Sequence, residues 1–192
     1  MADNYRQFSE VIPKLKKREE AWLKAQLQHV AVFGGKEYAI DPVPDYAYVD
    51  RLDLTDFVPA ELAGIDPEWF GVRFLRDHED YDPKYDSPGF RYSFDGPEVP
   101  RRRNDRWKRH LWIYADENGN PTHVVWLVRK FLKKFRPADS WSLTYSVTCS
   151  KPRVGEFSGG AVFVTADEIH WESAYDFVDA RQTAFQAKET GA

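Results

Sequence analysis

The run Trp141-Ser142-Leu143-Thr144-Tyr145-Ser146-Val147-Thr148-Cys149 constrains the fold more than any other stretch of the chain. Large apolar groups and the thiol take every second position and hydroxyls take the others, so successive side chains must point to opposite sides of an extended backbone. A helix would smear this pattern around its whole circumference. The run therefore predicts a strand with one buried and one wet face, and a sheet to hold it. Behind it, Lys151-Pro152-Arg153-Val154-Gly155 breaks the pattern, since proline removes a ladder donor and glycine permits a positive φ. Gly159-Gly160 then leads into Ala161-Val162-Phe163-Val164-Thr165, which predicts an antiparallel partner joined through a long irregular loop.

Working outward from this pair, residues 5–12 read as a short first strand stopped by Pro13. Across 14–33 the apolar positions Leu15, Trp22, Leu23, Leu27, Val30 and Ala31 recur near the helical period, and Gly34-Gly35 supplies a helix stop, which predicts a first helix over the whole stretch. Residues 36–100 hold most of the prolines, show no sustained period and carry acidic over basic residues by more than two to one. They read as an irregular, largely surface insertion with strands near 69–75 and 90–94. Order resumes at 110–116, an alternating strand ending in Glu117-Asn118-Gly119. Asn120 then caps a second helix with Pro121 in its first position, and Val124, Leu127, Val128, Phe131, Leu132 and Phe135 form its apolar stripe. Arg129, Lys130, Lys133 and Lys134 take its other side, and Pro137 ends it. Residues 169–171 offer another strand and 173–187 a weaker helical pattern. The order implies one α+β domain over 1–192, an antiparallel sheet with helices packed on one face, plus the acidic insertion 36–100.

Composition narrows the class. A chain of 192 residues with 42% hydrophobic content is long enough for one good core and an appended lobe, and short for two full domains. No apolar run approaches the roughly 20 residues that span a bilayer, and the amino terminus is polar and acidic, so the expectation is a cytoplasmic protein with no membrane partner. The single cysteine forbids an internal disulfide, in keeping with a reducing compartment. A net charge of −4 does not mark a nucleic-acid binder by itself. Its distribution is more telling, because Arg101, Arg102, Arg103, Arg106, Lys108 and Arg109 cluster around Trp107. Such a run suits contact with phosphates and stacking on a base, or neutralises the acidic insertion before it, or is a solvated approach to the next strand.

Three further groups of residues offer chemistry. Cys149, flanked by Lys151 and Arg153, reads as a cation-activated nucleophile with His170 or His110 as base, or as the last residue of a buried strand face. Only three residues separate it from Arg153, which is not the spacing of a phosphatase loop. Without the thiol, Lys151, Arg153, Gly159 and Gly160 suit an anion or a partner's carboxylate, and turn formation explains the same glycines. His78 in Asp77-His78-Glu79-Asp80-Tyr81-Asp82 lacks the spacing of a calcium loop and any histidine three to five residues away, so a solvated acidic loop is the reading and no metal is expected. No phosphate loop, Ser-His-Asp order or His-Glu-x-x-His motif is present, and no cofactor is expected.

The combination Thr148-Cys149-Ser150-Lys151-Pro152-Arg153 with Phe157-Ser158-Gly159-Gly160-Ala161 resembles a family of small uncharacterised bacterial proteins met on plasmids and in phage-like contexts. The similarity covers roughly 1–33 and 110–171, including the strand of 5–13 and Leu111-Trp112-Ile113. It implies a compact domain with a role outside core metabolism and assigns no catalytic residue. Together these readings give a non-catalytic binding module, possible partners being protein or nucleic acid, that contacts a macromolecule through Lys151, Arg153, Gly159, Gly160, Arg101, Arg102, Arg103 and Trp107. Two alternatives stand beside it: an enzyme acting on a phosphate-bearing or acyl substrate at Cys149, Arg153 and His170, and an inhibitor using 36–100 as a nucleic-acid mimic.

Overall fold

The computed structural model describes residues 4–40, 59–62, 64–78, 88–94, 109–151 and 156–189. The chain is α+β and divides into two compact units. One is discontinuous, Met1–Leu15 with Phe90–Ala192, and the other is Lys16–Gly89.

The first unit is built on a six-stranded antiparallel sheet. Its strands are β1 (Asn4–Ile12), β5 (Arg91–Ser93), β6 (Leu111–Ala115), β7 (Trp141–Cys149), β8 (Ser158–Val164) and β9 (Ile169–Ser173), in the order β5-β6-β1-β7-β8-β9. The alternating run is thus an interior strand. β7 pairs with β8 along most of its length and with β1 near its carboxyl end, where Cys149 faces Asn4. Direct cross-strand partners share a face, so the registers place Phe8, Ile12, Leu111, Ile113, Leu143, Val162 and Val164 together, all buried. Helix α2 (Pro121–Phe135) packs against β7 and β8 through Val124, Leu127, Val128, Phe131 and Leu132. Asn120 caps it, its side chain accepting from the Thr122 amide at 3.0 Å, with Pro121 behind. Arg129 departs from the expected basic surface by donating to the carbonyls of Ala166 and Asp167, at 3.4 and 2.8 Å, and so tethers the β8–β9 turn. The opposite sheet face is open near β7–β9, where Ser142, Thr144, Ala161, Phe163, His170 and Glu172 are exposed.

The second unit corrects the expected first helix. Helix α1 spans only Lys17–Gln26, and Lys14, expected inside it, has φ 54°. The remainder forms β2 (His29–Phe33), fully buried and centred in a three-stranded sheet between β3 (Lys36–Ala39) and β4 (Trp69–Val72). Val30 and Val32, β-branched and two apart, favour a pleated backbone over a helical turn. Gly34 and Gly35, with φ 53° and 74°, make the tight hairpin turn to β3 and do not cap a helix. The proposed strand 69–75 ends at Val72, and 73–75 turn into a short 3-10 helix, Arg73–Leu75. Part of the 36–100 stretch therefore builds a core, with Ala31, Phe33 and Ile40 buried against Tyr38, Leu62 and Phe70. Glu37 fastens it by accepting from Arg76 at 2.6 Å and Arg73 at 3.0 Å, and these hydrogen bonds, Arg76 foremost, hold its carboxyl below the ordinary range. Residues 41–58, 79–87 and 95–108 lie outside the described residues.

Candidate functional site

Cys149 closes the buried end of β7 and is 9% exposed. Its thiol donates to Glu156 Oε2 at 2.8 Å across the β7–β8 loop. The structure does not bring a histidine to it. His170 lies on β9 opposite Phe163, which in turn faces Ser142. Ser142 and Cys149 stand near opposite ends of β7, about 23 Å apart at the rise of a strand. His110 is equally remote: the next residue, Leu111, pairs with Ile12, whereas Cys149 pairs with Asn4 at the other end of β1. The thiol ties a loop, and its partner is a carboxylate rather than an imidazole.

Lys151 is exposed at the start of that loop, while Arg153, Arg101, Arg102, Arg103 and Trp107 lie outside the described residues, as do Glu79 to Asp82 beside His78. Gly159 and Gly160 sit within β8 rather than in an open loop. Gly160 faces Tyr145 on one side and Ser173 on the other, and a Cβ there would come within 2.5 Å of the Glu172 carbonyl and 2.7 Å of the Tyr145 hydroxyl. Its lack of a side chain lets three strands close up around the Tyr145 ring. A shallow cleft of about 400 Å³ opens beside the carboxyl end of α2, lined by Ile12, Phe131, Arg136 and Trp141 among others. Its guanidinium is committed, since Arg136 donates to the carbonyls of Pro13 and Lys14 and lies 5.1 Å from the Phe131 ring. Among the described residues no three His, Cys, Asp or Glu side chains converge as a metal requires.

The feature that sequence reasoning missed is at the other side of the loop. Helix α3 (Ala174–Glu189) follows β9 without a linker. Ser173 and Asp176 exchange backbone and side-chain hydrogen bonds at 3.0 Å, a reciprocal cap that starts the helix, and the Ser173 bonds hold the Asp176 carboxyl below its ordinary range. Every side chain from Ala174 to Gln186 is exposed, yet Tyr175, Phe177, Val178 and Phe185 are among them at 46 to 62%. At 100° per residue Phe177, Val178, Arg181 and Phe185 share one side of the helix, and Asp176, Asp179, Thr183 and Gln186 the other. Arg181 lies over the Phe177 ring at 5.2 Å. Two further large apolar side chains are 46% exposed on the neighbouring strands, Trp171 on the face of Val162 and Tyr145 and Phe163 on the opposite face, and on the β7–β8 loop Phe157 is 49% exposed, its carbonyl accepting from the Tyr175 hydroxyl at 3.4 Å. A run of large apolar side chains this open is uncommon on the surface of a single folded chain. Its sequence signal was the weak helical pattern of 173–187, spread too widely for a core-facing stripe.

Among the described residues β9 is also the outer strand of its sheet. Thr165 and Glu168 bond across the turn, and the alternation from there directs the main-chain groups of His170 and Glu172 to β8, leaving those of Ile169 and Trp171 facing outward. No family model, curated protein or solved structure matches the chain.

Proposed function

We propose that this protein is a non-catalytic binding module that holds a protein partner on the surface formed by β9, α3 and Phe157. One observation carries the reading: the half-exposed apolar side chains of α3 run directly into an outward-facing strand edge. A protein suits this surface better than a nucleic acid, because its helical side is mainly apolar and β9 with its turn carries Glu168 and Glu172 beside the one His170, which would repel phosphates. The enzymatic alternative needs Cys149 and His170 within hydrogen-bond reach, and β7 holds them apart. The mobile-element setting implied by the resemblance belongs to the same proposal.

The test compares affinity-tagged wild type with Phe177→Asp/Phe185→Asp and with Cys149→Ser. A partner held by wild type and by Cys149→Ser, and lost with Phe177→Asp/Phe185→Asp while circular dichroism is unchanged, supports the reading. Undiminished binding by the helix variant overturns it.

A further inference from the structure

Resting on that reading, we propose that the partner is a second copy of this chain, joined by antiparallel pairing of β9 with its counterpart about a two-fold axis at Trp171. The two edges of the six-stranded sheet differ. β5 is short, Arg91–Ser93, and its Arg91 is bound to Asp116 at 3.1 Å. β9 has five residues, Ile169-His170-Trp171-Glu172-Ser173, with none of the lysine or proline that usually blunts an edge. Outward main-chain groups must meet outward groups, so the axis passes through a residue and not between two. Trp171 is the middle of the strand, and centring there sets every β9 residue opposite another. It also places His170 of each copy opposite Glu172 of the other, twice by symmetry. Moving the axis by one residue sets His170 on His170 or Glu172 on Glu172. The self-complementary register is therefore the one that the strand's length and charges select.

The helices agree with this arrangement. An axis relating two antiparallel strands of one continuous sheet stands perpendicular to that sheet, so the two copies of α3 leave the seam toward the same face of the sheet. Each starts beside its own β8 and β9 and exposes Phe177, Val178 and Phe185. The apolar sides left open in one chain then have each other to cover.

Analytical ultracentrifugation of the full chain across micromolar concentrations tests the proposal, with Trp171→Pro and His170→Glu beside wild type. The Trp171 amide faces outward, so proline there spares the β8–β9 ladder; the expected result is a dimer whose dissociation constant rises about tenfold in Trp171→Pro through lost seam hydrogen bonds. His170→Glu weakens the dimer severalfold by opposing carboxylates, and adding Glu172→His restores it. This second pair decides the matter if Trp171→Pro fails to fold. A dimer indifferent to both variants overturns the proposal. A wild-type monomer overturns it too, and the tagged-partner experiment then tells whether the surface serves a different protein or none.

Discussion

At the scale of single residues, His29 offers the cleanest titration. It is 2% exposed on β2, and burial pulls its imidazole down to about 4 from an ordinary 6.5. The folded pKa lies below the unfolded one, so the stabilisation is fully present above pH 6.5 and is lost as pH falls toward 4. Urea unfolding is expected to lose about 2 kcal/mol between pH 7 and pH 5 on this account, and His29→Gln to flatten that slope. An equal slope in the variant would assign the pH dependence elsewhere. Gly160→Ala is expected to cost about 1–3 kcal/mol in a thermal melt, because its Cβ meets the Glu172 carbonyl, which belongs to backbone and has little room to retreat. Cys149→Ser keeps a donor toward Glu156 and is expected to stay within about 1 kcal/mol of wild type.

Among the elements, α2 depends on both its cap and its stripe. Asn120→Ala removes the acceptor for the Thr122 amide and is expected to cost about 1 kcal/mol. Phe131→Ala empties a site only 1% exposed and is expected to cost about 3–5 kcal/mol, so denaturant midpoints of the two variants should separate clearly. These contacts were legible in the sequence, because Asn120-Pro121 and the stripe after it admit one helix, and the period of β7 admits one strand. The 14–33 stretch was ambiguous for a physical reason. Leu23, Leu27 and Val30 keep helical spacing even though the last of them is in β2, and Gly34-Gly35 serves a hairpin turn as readily as a helix end. The candidate surface was less legible still. Phe177 and Phe185 look like core residues in a sequence, and only the structure shows them exposed beside β9, the outer strand of its sheet among the described residues. Arg101, Arg102, Arg103, Trp107 and Arg153, prominent in the sequence, lie outside the described residues.

For the whole molecule, the division into units redraws where the chain can be cut. Removing 36–100 takes β3 and β4 from β2 and takes β5 from the main sheet. Removing 16–89 and bridging the ends with a flexible linker keeps all six strands of the first unit. The second deletion is expected to retain a cooperative melt and the first to aggregate, as light scattering during heating would report; the reverse order would contradict the division. The sheet order also bears on how the chain is born. β1 is made before any of its neighbours, yet it ends up between β6 and β7. With Phe8 and Ile12 waiting for Leu111 and Ile113, the nascent chain carries a strand open on both sides for some 100 residues of synthesis, about 5–20 s at ordinary elongation rates. Throughout that interval its solubility rests on whatever shelters β1 at the ribosome, so expression yield should respond to chaperone supply more than the stability of the finished protein suggests.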